Sequence, residues 1–178
     1  TVADSKTQVW QTIPAGTSFS LKVDKATIAV TSVAVNEIKS ELKNVELEVA
    51  ALTENPVSAE AATKVYQYLT INKKNLKDED ADSFKVSFRV TKAWLTENSL
   101  ASGDIALYRF KDVWTELATK VTGTDDTYVN YEAQTPGFSS FAIGTKSGVV
   151  VEEAPAEEVP AEEVPKEEAA PPEAVEAP

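Results

Sequence analysis

The chain has 178 residues with 17 basic and 29 acidic side chains, a net charge of −12, and neither Cys nor His. That composition removes disulfides, thiol nucleophiles, Ser-His triads and Cys/His zinc sites together. No apolar run reaches the ~18 residues needed to span a bilayer, and no basic stripe is present to neutralise phosphates, so nucleic acid is disfavoured as a partner.

The acidity is unevenly placed. Val151 to Pro178 contains only Glu, Pro, Ala, Val and one Lys (Lys166), with 10 acidic residues against that single base. Thr1 to Val150 holds the other 19 acids and 16 bases, so it is nearly balanced. The expected organisation is a folded body at 1–148 and an acidic appendage at 149–178. The opening "TVADSKTQVW" has no initiator Met and no signal peptide, and is expected to be a piece of a longer precursor.

Along the body the dominant period is two. "IPAG" (Ile13–Gly16) is a turn, after which Phe19, Leu21 and Val23 alternate with Ser18, Ser20 and Lys22. Thr27–Val35 is a less regular β-rich run. In "VELEV" Val45, Leu47 and Val49 alternate with Glu46 and Glu48. Ala59–Ala62 is assigned one short turn of helix, and Val65–Ile71 a strand. "FKVSFRV" then alternates Phe84, Val86, Phe88 and Val90 with Lys85, Ser87 and Arg89. Each alternating run predicts a strand with one wet and one buried face, as antiparallel sheets require.

"TKAWLTENSL" (Thr91–Leu100) breaks this period. Thr91 is an N-cap, helix-tolerant residues run to Glu97 and Asn98 is the stop, so a one- or two-turn helix is predicted. Strands follow at Ile105–Phe110, Val113–Val121, Tyr128–Ala133 and Ser139–Ile143, with "TGTDD" (Thr122–Asp126) as a turn. "TPGF" predicts a type II turn with Pro136 and Gly137 at its centre, Gly supplying the positive φ. The fold class expected is all-β: an antiparallel β-sandwich of roughly nine or ten strands with one short connecting helix. The tail repeats "EEAPA", "EEVPA" and "EEVPK"; frequent Pro and like charge predict an extended, solvated stalk.

Several constellations invite a chemical reading. Asp78, Asp80 and Asp82 in "DEDAD" have the spacing of a calcium loop, yet Ser83 stands where its Gly belongs and Arg89 where its bidentate Glu belongs. A solvated turn is the simpler assignment. Ser139 and Ser140 follow a Pro-Gly turn as in a nucleophile elbow, but without its Gly-x-Ser-x-Gly pattern or a His base. Glu46 and Glu48 alternate with buried residues and read as the wet face of a strand rather than as an acid/base pair. Trp10, Trp94 and Trp114, with "VYQYL" and "TYVNY", are either core residues or a platform for stacking sugars. No Asn-x-Ser/Thr sequon occurs.

The run "VSFRVTKAWLTENSLASGDIALYRFKDVWTELATKVTGTDDTYVNYEAQTPGFSSFAIG" (Val86–Gly144) resembles the PGF-pre-PGF domain of archaeal cell-surface proteins. The marks are the strand leading into Trp94-Leu95, "LYR" (Leu107–Arg109), Trp114-x-x-Leu117 and the closing "TPGFSSFAI". Upstream, "IPAG", "LKNVELEVAAL" and "VYQYLTINKKNL" extend the similarity to roughly Val9–Gly144. One departure is the connection Lys111-Asp112-Val113, which lacks a Gly. A β-branched Val resists φ > 0, so Asp112 is expected to take any left-handed conformation.

The resemblance implies a secreted β-rich domain near the C-terminus of surface proteins, one that is often followed by a low-complexity linker and a membrane anchor or sorting signal. It carries no catalytic residue or cofactor over to this chain, and the expected role is non-catalytic. Expected partners are proteins of the envelope, including further copies in a surface layer or filament, and possible glycans. The first ten residues are a candidate for strand addition to a neighbouring subunit's sheet edge.

Overall fold

A computed structural model describes residues 1–149. The acidic stalk assigned to 149–178 therefore lies, beyond Val149, outside the described residues. Eleven strands form two antiparallel sheets. The six-stranded sheet comprises β1 (Val2–Ile13), β4 (Leu42–Leu52), β5 (Val65–Lys74), β11 (Ser140–Thr145), β7 (Ile105–Lys111) and β8 (Val113–Leu117), in the order β1-β4-β5-β11-β7-β8. The five-stranded sheet comprises β2 (Phe19–Lys22), β3 (Val30–Ile38), β6 (Ala81–Thr91), β10 (Tyr128–Thr135) and β9 (Thr119–Thr124), in the order β2-β3-β6-β10-β9.

The alternating residues make the core. Val45, Leu47 and Val49 from one sheet meet Val33, Val86 and Phe88 from the other, all fully buried. Phe88 stacks on Tyr131 with ring centroids 5.2 Å apart. Each such side chain contributes roughly 1.5–3 kcal/mol by leaving water. The sandwich expected from the period-two pattern is the fold observed.

The predicted helix is also present, as α1 (Lys92–Glu97). The Thr91 hydroxyl accepts a hydrogen bond from the Trp94 amide at 3.2 Å, satisfying a donor that the first turn leaves free, and Asn98 ends the helix. Asp112 has φ 65°, the left-handed conformation its Gly-free turn demands.

Four local expectations change. The first ten residues belong to β1, which pairs with β4 of its own chain from Val2↔Leu52 to Ile13↔Leu42. Strand addition to a neighbour would have to use its other edge. The run Val113–Val121 is two strands in different sheets, broken at Ala118. Thr119 fixes that corner: its hydroxyl accepts from the Leu107 amide (3.0 Å) and donates to the Leu117 carbonyl (2.9 Å).

Ala59–Ala62 is not helical. Asn55 holds this segment as a loop, accepting from the Val57 amide (3.0 Å) and donating to the Ala59 carbonyl (2.9 Å). Finally, Gly137 is not among the residues with positive φ, so Pro136 and Gly137 form a bend but not a type II turn. A Cβ there would sit 2.7 Å from a carboxylate oxygen of Asp78, the end of an exposed side chain that can swing aside.

The strand register also sets the direction of the chain ends. Val2, Leu52, Tyr68, Ala142 and Tyr108 lie in one row across the six-stranded sheet. Thr1 and the residues after Thr145 consequently leave from the same end of the sandwich. The opposite end carries the β1–β2 connection, the β3–β4 turn, the segment after β5, and Asp112. Glu37, Asn44, Asn75 and Asp112, four residues with left-handed φ, gather at that end, where the Asn75 amide donates to the Asn44 carbonyl at 2.8 Å.

Candidate interaction surfaces

The residues singled out for metal binding do not converge. Asp78 pairs with Lys73, whose ammonium also lies 5.6 Å from the ring centroid of Phe84 and 5.8 Å from that of Phe138. Asp80 turns back to accept from the Lys77 amide at 2.8 Å. Asp82 is exposed on the following strand. No cluster of three or more potential metal ligands occurs among the described residues.

The remaining chemical candidates have structural partners. Ser139 donates to the Phe110 carbonyl at 2.7 Å, joining the β10–β11 bend to β7. Glu46 pairs with Lys74 at 2.8 Å and Glu48 accepts from Asn72 at 3.0 Å, both across the β4–β5 ladder. Trp10 packs on Phe19 at a sheet edge (4.7 Å) and Trp94 meets Tyr66 edge-on (5.2 Å). Neither forms an open platform.

Trp114 is different. It lies on the outer face of the six-stranded sheet with Phe110 (5.2 Å) and Tyr68 (6.1 Å), and its indole N–H donates to the Ala59 carbonyl at 2.8 Å. Tyr68 and Trp114 flank a second small cluster of Ala106, Tyr108 and Ala142, buried beneath the segment that follows β4. The Tyr108 hydroxyl contacts the Thr145 carbonyl (2.6 Å) and Glu116 (2.9 Å), and burial raises its pKa. Burial opposes ionisation of Glu116 too, but hydrogen bonds from Ser147 and Tyr108 outweigh it and hold that carboxyl below its usual range. The signal for this second cluster was the unbroken apolar run "IALY", since a strand buried on both faces loses its alternation.

The outer face of the five-stranded sheet is basic. Lys22, Lys85, Arg89 and Lys120 project from it on three strands, β2, β6 and β9, against Glu132 on β10, while Glu37 lies at the end where β3 finishes. Small side chains, including Ser32 and Ser87, fill the positions between them. Glu132 is shared by Lys120 (2.8 Å) and Lys85 (3.4 Å), which lower its pKa. The Arg89 guanidinium lies 4.1 Å from the Tyr128 ring centroid. A shallow depression of about 280 Å³ lies among Lys85, Lys120, Glu132 and Gln134. Asp82 and Asp125 stand near the two ends of the face rather than on it.

Sequence reading assigned Lys22, Lys85 and Arg89 to wet strand faces without joining them, because the union depends on β2, β3, β6, β10 and β9 being neighbours. No protein-family model matches the chain, and no curated protein matches it in sequence.

Proposed function

We propose that this chain is a non-catalytic structural or adhesion module of an archaeal cell surface, a PGF-pre-PGF-like sandwich carried on the acidic 149–178 segment. The observation that carries this reading is that Thr1 and the residues after Thr145 leave from one end of the sandwich. A body attached there presents its far end, with the turns at Lys39–Glu41 and Asn75–Asp80, away from the attachment. The protein-engaged geometry of Asp78, Ser139 and the Glu46/Glu48 pair supports a role in presentation rather than turnover.

The test is immunolabelling of cells that make the protein, with antibody raised against the folded body. Labelling of intact cells is the expected result; label that appears only after permeabilisation overturns the assignment. A second reading, glycan binding, is favoured by Tyr68, Phe110 and Trp114 standing on an outer sheet face. It predicts quenching of Trp fluorescence by a bound oligosaccharide in the parent chain and none in Trp114→Phe.

A further inference from the structure

The body has slightly more acids than bases, yet one of its two broad faces carries four cations and one carboxylate. The same chain ends in a segment with 10 Glu and one Lys. We propose that the basic outer face of the five-stranded sheet is a seat for that segment, residues 150–178 of the same chain.

Three observations carry this. Charge is complementary: Lys22 and Arg89 form no ion pair among the described residues, and Lys85 and Lys120 share one partner. Position is suitable, because Val149 packs at the end of the sandwich where β6 finishes and β10 begins. Length is ample. From Ser83 to Thr91 the face extends ~26 Å at the rise of a strand, whereas the segment reaches roughly 85–90 Å when extended.

The short side chains of Ser20, Ser32, Ala34 and Ser87 between the cations also suit a partner lacking large anchors, as a Glu/Pro/Ala/Val chain does. Exposed ion pairs are individually weak and screened by salt. Only a covalently attached partner, held at an effective concentration near the millimolar range, would occupy such a seat. Own-chain binding is therefore favoured over capture of another copy's tail. The result is a latch released by salt: the segment lies along the sheet in dilute electrolyte and leaves it in concentrated electrolyte. This inference stands whether or not the cell-surface assignment holds.

Small-angle scattering of the full chain tests it by the sign of one change. A free acidic tail contracts as salt screens its self-repulsion, so the radius of gyration falls. A latched tail detaches, so the radius rises from near the ~16 Å of a compact chain of this size as NaCl goes from about 20 mM to about 500 mM. The rise is expected in the parent chain. It should be abolished in Lys22→Glu/Arg89→Glu and in a chain whose ten tail Glu are Gln, a change outside the folded body. A radius that falls or stays constant in the parent overturns the proposal. So does a scattering mass above that of a monomer at low salt, which would assign the face to a second copy. An unaltered rise in the all-Gln variant would overturn it as well.

Discussion

The two outer faces of this sandwich are built on opposite plans. On the five-stranded sheet every second residue is wet, so Lys85, Ser87 and Arg89 remain at the surface between fully buried Phe84, Val86, Phe88 and Val90. On the six-stranded sheet the alternation fails at β7 and β11, where Ala106, Tyr108 and Ala142 are as buried as the core and are covered by the segment after β4. Equivalent positions in two sheets thus have different tolerances. One face is free to evolve charge for interaction, while much of the other is committed to holding a long loop.

The strongest test of this contrast places the same group on both faces. Ala142→Asp buries a carboxylate without a cation among Ala106, Tyr108 and Tyr68, and is expected to cost at least about 3–5 kcal/mol in urea unfolding. Asn130→Asp, beside Arg89 in the ladder with β6, should stay within about 0.5 kcal/mol. Similar losses at both positions would remove the distinction. A smaller effect is expected for Tyr108→Phe. It removes the contacts to the Thr145 carbonyl and Glu116, for about 1–2 kcal/mol by the same measurement. A change near zero would show that water replaces them without loss.

The mildest perturbation concerns β1, the long edge strand. Asp4 accepts from Lys25 (2.6 Å) and from Thr27, and these bonds hold its pKa down to about 2. A depressed carboxyl pKa contributes stability that is present above the ordinary value near 4 and is lost as pH falls toward 2. Amide exchange in the first half of β1 should therefore accelerate, relative to the core, between about pH 4 and pH 2. In Asp4→Asn that additional acid sensitivity should be absent. If parent and variant respond alike, Asp4 does not fasten the strand.

The sequence was readable wherever burial is one-sided. The "FKVSFRV" strand, the Thr91 cap and the left-handed Asp112 all follow from local chemistry. β1 was missed because Asp4, Lys6 and Gln8 leave it polar even on the side that faces the other sheet, so no hydrophobic period marks it. The Ala118 corner was missed because no Gly or Pro interrupts Val113–Val121, and only the tertiary bond of Thr119 to Leu107 reveals the change of sheet. Gly137 was assigned to the right bend with the wrong geometry, since its φ is not positive. The basic face was legible as single residues and invisible as a surface, since only strand order assembles it.

The place of β11 has a consequence for a body restrained through its C-terminal side. That strand is not at an edge: Ser140–Gly144 are bonded to β5 on one flank and Ser140–Thr145 to β7 on the other. Tension drawn along its axis would load the rungs of two ladders together in shear, rather than peel them away one at a time. The sandwich would resist extraction of its last strand more firmly than if the chain ended in β1 or β8.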